Sequence, residues 1–280
     1  GVLLMIPALL SQGLLKSKEI YDYEDRYYYS LESVILTLAI LSLCRIKNIE
    51  QIKNVKRGEI GRLIGMDRIP ESKCLRGKIR YLANQNKAQQ WNEELMELWK
   101  DGITEHSDGE LILYVDGHQN IYNGYKATLP AKYISRQKLC LSATSEYWVN
   151  DCDSLPYMVV TGELNEKLQE IITHQIIPQL IKVGYIKHIE DPLNHPQTPQ
   201  CTLVFDREAY DFDFFDKLWD GYRIAIITYR KYVKDKWEDT AFSPYEIVDN
   251  ENKSTVYLCE KEYERNDKKY REIRKLSESG

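Results

Sequence analysis

The spacing of apolar positions along the chain changes its period near residue 107. Before that point apolar residues recur at three- and four-residue steps, the spacing of helices. The stretch SLESVILTLAILSLCRI is opened by Ser30, a suitable N-cap, and is apolar on nearly every face, so it reads as a buried helix. Its apolar run of about 14 residues is too short to span a bilayer. The preceding YDYEDRYYY reads as amphipathic packing at a helix junction, with base stacking as the alternative. A short helix is predicted over Glu59–Ile64 and stopped by Gly65, after which MDRIPE turns the chain. A second helix starts at about Ser72, with Leu75, Ile79 and Leu82 on one face and Lys73, Arg76, Lys78 and Arg80 on the other.

Beyond SDGE (107–110) the pattern becomes that of strands. LILYV (111–115), LCLSAT (139–144) and YMVVTGE (157–163) suit an antiparallel meander. A helix follows, in which Leu164, Leu168, Ile171, Ile172, Ile176 and Leu180 recur at helical spacing; Pro178 should kink it and Gly184 end it. The proline-bearing stretch 185–200 reads as a loop with His188 and His195 at its surface. Strand CTLVF (201–205), a helix capped by Asp211, and strand RIAIITY (223–229) complete a core. After residue 230, YEIV, STVYLCE and KKYREIRKL read as further, more exposed strands.

Length and composition narrow the class. With 280 residues, 43% hydrophobic and 29% charged, the chain can bury a sizeable core and has room for two parts. A net charge of −5 argues against wholesale wrapping of nucleic acid but leaves local patches open. One such patch exists: residues 53–90 hold ten Lys/Arg against three acids. Two helices across a turn, the second basic, are helix-turn-helix-like over 58–84; a solvated face of an ordinary bundle is the competing reading. The six cysteines show no zinc spacing and read as reduced, mostly buried thiols of a cytoplasmic protein. The opening GVLLMIPALL lacks a basic lead and is broken by Pro7, which argues against a signal peptide or membrane span. The chain has no initiator methionine and stops in RKLSESG, so a fragment is the expectation.

Two apolar strands, 111–115 and 201–205, each run straight into an aspartate, Asp116 and Asp206. If they are parallel neighbours, the two carboxylates converge on one sheet edge. Close carboxylates repel, and a divalent cation such as Mg²⁺ or Mn²⁺ removes that penalty. Such a pair suits metal-assisted phosphoryl transfer; simple turn capping by each aspartate is the alternative. Gly117 is expected to let the backbone turn sharply after Asp116. His118 and Arg207 are candidates for phosphate contact, and His118 for orienting Asp116.

The order strand–strand–strand–helix–strand–helix–strand is that of an RNase H-like core. The motifs MDRIPESKCLRGKIRYL, LYVDGH, SRQKLCL, LPYMVVTGELNEKLQEIITHQIIPQL, TLVFDREAY and ITYRKYVKDKW resemble the DDE transposases of bacterial insertion sequences over most of the chain. The resemblance implies an α/β fold: a helical DNA-binding region (1–105), then an RNase H-like mixed sheet with flanking helices (106–280) and a strand-rich insertion beginning at about 232. It implies that Asp116 and Asp206 are catalytic metal ligands for Mg²⁺ or Mn²⁺ in DNA cleavage and strand transfer. Arg68, Lys73, Arg76, Lys78, Arg80, Arg230, Lys231 and Lys234 would contact DNA. The partners implied are double-stranded DNA (transposon ends and target) and a second subunit in a homodimeric synaptic complex; no membrane and no small-molecule substrate are expected. The location implied is the bacterial cytoplasm, at the nucleoid. The family's third acid, a glutamate, is expected beyond Gly280: Glu278 is correctly spaced from Arg274, but Tyr270 is one residue out of place. An inactive transposase-derived repressor and a structure-specific nuclease on the same fold remain the rival readings.

Overall fold

The computed structural model describes residues 1–24, 28–106, 111–124, 127–134, 137–249 and 252–276. The amino-terminal third is helical: α1 (Val2–Ser11), α2 (Ser17–Ile20), α3 (Leu31–Leu43), α4 (Arg57–Leu63), α5 (Ser72–Ala83) and α6 (Ala88–His106). Ser30 caps α3 by accepting a hydrogen bond from the Ser33 amide, as its sequence suggests. Val34 and Leu41 of α3 pack with Ile52, Ile69 and Leu75, and the half-buried Ile60 and Ile79 close that cluster. Within the tyrosine-rich segment, Tyr21 meets Trp91 edge-on and Tyr23 meets Tyr81, as packing at a helix junction requires. Asp25, Arg26 and Tyr27 of that segment lie outside the described residues.

Helices α4 and α5 fall close to their expected places. Gly65, at φ +75°, supplies the left-handed residue that ends α4. Gly61 has a different reason to be glycine: a Cβ there would lie 2.5 Å from the Arg68 Cα. The backbone of the connecting segment therefore lies directly on α4. That segment, residues 64–71, is longer than the turn of about 3–4 residues typical of a helix-turn-helix.

The rest of the chain is a mixed α/β unit. Strands β1 (Ile112–Ile121), β2 (Ala131–Ile134), β3 (Leu139–Asn150) and β4 (Pro156–Gly162) come first. Helix α7 (Leu168–Ile171) continues through a π-turn (Ile172–Ile176) into α8 (Ile177–Lys182). Then come β5 (Cys201–Phe205), α9 (Phe212–Tyr222) and β6 (Ile224–Thr228). The sheet runs β3-β1-β5-β6, with β2 and β4 both pairing with β3. β1, β3 and β4 are antiparallel to one another in turn, whereas β1, β5 and β6 are parallel. Leu113, Val115, Val149, Leu203 and Phe205 point to one face and form a single core with Ile171, Ile176, Leu180, Phe215 and Leu218.

Several expectations need correction. β1 does not end at Asp116 but runs on to Ile121, so Gly117 lies in the strand and makes no turn. A Cβ at Gly117 would meet the Tyr147 ring at 3.1 Å, so glycine at this position lets β1 sit close to that ring. The long helix is shorter than its apolar spacing suggests: Leu164 lies before it, and it starts at Leu168. Pro178 cannot donate a backbone hydrogen bond, and the π-turn just upstream takes up the mismatch. Gly184, at φ +80°, ends the helix as expected. The cysteines are all unpaired, but they are not mostly buried. Only Cys201 is buried, and burial pushes its thiol up to about 12; Cys44, Cys140 and Cys152 are exposed.

A second sheet follows β6. β7 (Ser243–Asp249), β8 (Asn252–Arg265) and β9 (Lys268–Lys275) form an antiparallel meander. It docks on α9 through an acidic stripe at helical spacing, Asp213, Asp216 and Asp220. Arg265 pairs with Asp213 at 2.9 Å and Lys268 with Asp220 at 3.0 Å, while Asn266 and the Tyr270 hydroxyl donate to Asp216. Burial alone would push the Asp216 carboxyl up, but these donors and the nearby cations hold it below its usual value. Phe212 packs edge-on against Tyr270, which stacks on Tyr263. Asp211 caps α9, accepting from the Phe214 amide at 2.9 Å. Replacing Asp211 with alanine should cost about 1 kcal/mol of stability, readable as a lower denaturation midpoint at unchanged slope.

Candidate active site

The pairing register decides where the two aspartates lie. β1 and β5 are parallel, with Leu113 level with Leu203 and Val115 level with Phe205. Asp116 is the next residue of β1 and Asp206 the first residue after β5, so the two follow side by side from the end of the shared ladder. The alternation along both strands sets their direction. Val115 and Phe205 are buried in the core, and the following residues are exposed, so both aspartates leave on the opposite side of the sheet.

That opposite side is open and partly apolar. Tyr114 is 42% exposed, Trp148 39% and Ile227 58%, so aromatic and aliphatic surface shares this side of the sheet with the carboxylates. Trp148 lies directly across from Asp116 in the antiparallel β1–β3 register. His118 lies across from Glu146 and, two residues beyond Asp116, shares its face of the strand. Neither Tyr114 nor Trp148 stands out in the sequence. The only signal for them is the alternation in ILYVDGH and SEYWVN, which requires the strand register before it can be read.

Asp206 does two things. Its Oδ1 accepts the Arg207 amide at 2.7 Å, capping the short 3₁₀ turn Arg207–Ala209. The capping alternative is thus real for Asp206, and it leaves the second carboxylate oxygen without that bond. Asp116, in mid-strand, has no such turn to cap. Arg207 is exposed at the start of the turn, and Glu208 holds Lys231 through its main-chain oxygen at 3.2 Å.

A magnesium-like ion suits this donor set. Such ions bind through one or two carboxylates and keep their other positions for water and phosphate oxygens. Among the described residues no group of three or more His, Cys, Asp or Glu could hold a metal. Glu278 lies outside the described residues.

The expected DNA contacts fall into two sets. On α5, Lys73 and Arg80 are exposed, with no ion-pair partner among the described residues. Arg76 pairs with Glu50 at 2.9 Å, and Lys78 is drawn inward over the Tyr23 ring at 4.9 Å. Burial lowers the Lys78 pKa. Arg68 is exposed beside Tyr29, whose hydroxyl burial pushes up and Arg68 pulls back. Beyond β6, Arg230 is engaged by Glu272 and Asp235, and Lys231 by Glu208. Lys234 is exposed. The sequence gives no sign of the Arg230 pairings, because Glu272 belongs to the second sheet.

The family model described as "Transposase protein" matches residues 1–280, and the chain belongs to that transposase family. Among solved structures, one similar chain comes from the crystal structure of a pre-cleavage Mos1 transpososome. The two share 10% identity at a TM-score of 0.25, over 78% of this chain and 66% of that one. No curated protein matches the chain. Among the described residues, no helix is long and apolar enough to cross a membrane.

Proposed function

We propose that the chain is the DNA-cutting and DNA-joining part of a DDE-type transposase, with Asp116 and Asp206 as paired metal ligands. The observation that supports this reading is the parallel β1–β5 register, in which Val115 is level with Phe205, the residues just before the two aspartates. The strand order supports an RNase H-like core from about residue 106, with the β7–β9 sheet as the start of an insertion following a segment at about 232. The helices of residues 1–105 serve in this reading as the DNA-binding region, with α4 and α5 as its helix-turn-helix-like element.

Asp116 and the free oxygen of Asp206 would hold Mg²⁺ or Mn²⁺ at the mouth of the sheet. A bound divalent ion would supply Lewis-acid stabilisation of the phosphate and a more acidic water or 3′-hydroxyl. His118 and Arg207 stand beside the carboxylates, placed to take phosphate oxygens as a DNA strand crosses the open face. Lys73 and Arg80 on α5, Arg68, and Lys234 hold phosphates further out. Pairing two transposon ends and one target brings a second copy of the chain into the complex.

DNA affinity should fall steeply with salt, and its slope separates free cations from paired ones. Replacing Lys73, Arg80 or Lys234 with glutamine should each reduce the slope of log affinity against log salt by about 1. Arg76→Gln and Arg230→Gln should change it less, because those guanidiniums are already spent on Glu50 and on Glu272. Filter binding of duplex DNA across a salt series reads all five. Equal slopes for the two sets would remove the assignment of the α5 surface.

A further inference from the structure

The outward face of α5 has a glycine at its centre that nothing in the fold requires. Leu75 and Leu82 are buried on the inner side, and Gly77 lies on the side opposite Leu75, among Lys73, Arg80, Tyr81 and Asn84. A Cβ added at Gly77 would meet nothing within 4 Å, and its φ is not in the left-handed region. Glycine in a helix interior is unfavourable relative to alanine. Gly61 and Gly65 have reasons within the fold, the first a close backbone and the second a left-handed turn. Gly221 is also open, but it sits in the last turn of α9, where a helix is already ending.

The surface around Gly77 is slightly concave. A shallow groove of about 550 Å³ runs along α5, lined by Glu71, Lys73, Cys74, Gly77, Lys78 and Tyr81. Glu71, its one acid, is neutralised by Arg57 at 2.7 Å. Lys73 precedes Gly77 by one turn and Arg80 follows it by nearly one, so a missing side chain separates two exposed cations that have no ion-pair partner among the described residues. A polyanion held by both cations must come closest to the helix axis at the gap between them.

We infer that Gly77 is the point where the base edges of duplex DNA approach the α5 backbone, and that it sets sequence specificity. The inference rests on the DNA-binding reading above. Lys73 and Arg80 grip phosphates on either side, and the absent side chain lets the helix sit deeper in the major groove than a larger residue would allow. The fold gives up helix stability at this position, and the ligand receives room.

The test uses the full chain and a pool of random-sequence duplexes, selected for binding and then sequenced. The wild type should enrich one motif. Gly77→Ala should raise Tm by about 2 °C, and Gly77→Leu should also fold, since leucine is a good helix former. Gly77→Leu should bind the enriched motif at least about tenfold more weakly, with a clearly smaller loss on unselected duplex. Enrichment of the same motif by wild type and Gly77→Leu, at affinities within about twofold, would overturn the inference. So would an equal loss on unselected duplex, which would make the room at Gly77 a general steric requirement and not a determinant of sequence. Failure of the wild-type chain to retain any duplex would instead remove the DNA-binding reading itself, and this inference with it.

Discussion

Asp116→Asn and Asp206→Asn are expected to abolish cleavage of transposon ends, by about a thousandfold or more each, while duplex binding stays near the wild-type level. Both changes preserve shape. Asparagine at 206 keeps an oxygen to accept the Arg207 amide, so the turn after β5 survives. Asparagine at 116 sits at an exposed position in mid-strand and disturbs no core contact. What each change removes is negative charge, the property that two level carboxylates offer a divalent ion. Removing one of two neighbouring like charges should leave thermal stability unchanged or slightly raised. The expected pattern is therefore opposed: activity lost, fold kept or improved, and Mn²⁺ binding weakened in calorimetry. A plasmid carrying the element's ends reads cleavage, and pre-cut ends read joining. Strand transfer retained by either variant would sink the assignment of both residues as metal ligands.

Arg223→Met should destabilise the protein by about 3 kcal/mol, the loss of several charge-assisted hydrogen bonds from a buried position. Arg223 is 1% exposed and sits at φ +50° between α9 and β6. Its guanidinium donates to three main-chain oxygens, those of Pro192, Pro196 and Trp219, and lies over the Trp219 ring at 5.3 Å. The two proline carbonyls belong to the loop before β5, so this one side chain staples that loop to the end of α9. Methionine fills much of the volume but leaves the carbonyls without their donor. Arg223→Lys should rescue little, because one ammonium cannot match a planar fork aimed at three acceptors. Thermal denaturation measures the loss, and limited proteolysis of residues 190–200 reads the loosened loop. A variant as stable as the wild type would show that water replaces the guanidinium at no cost.

The aspartate pair and Arg223 mark where the sequence is readable and where it is not. The Asp116–Asp206 pair can be read because hydrophobic strands announce themselves and a charge directly after them stands out. Its geometry needs only that the strands be parallel neighbours, and they are. Arg223 cannot be read in this way. In the sequence it opens RIAIITY and passes as the first residue of a strand, because its partners are carbonyls of residues about thirty positions earlier, and backbone oxygens have no sequence signature. The same limit hides β2, whose four residues pair with the start of β3 and carry no clear alternation. It also hides the meander's grip on α9. Asp213, Asp216 and Asp220 carry no local signal of their partners, because Arg265, Asn266 and Lys268 come from far along the chain. Local signals set element type; long-range partners decide which charges are free.

The parallel register of β1 and β5 has a consequence for how the chain folds. The β7–β8–β9 meander and the helices of the amino-terminal third close over short loops, and such contacts form early because little chain entropy is lost. Ile112 meets Thr202 only after the whole of β2, β3, β4, α7 and α8 has been gathered between them. Parallel pairing at that separation is slow, so the two aspartates come together late, when most of the surrounding structure already exists. The placement of one carboxylate next to the other is then completed in the last steps of folding and leaves the nucleus untouched. Neutralising either aspartate should accordingly slow unfolding more than it speeds folding, leaving the early, local part of the folding route as it was.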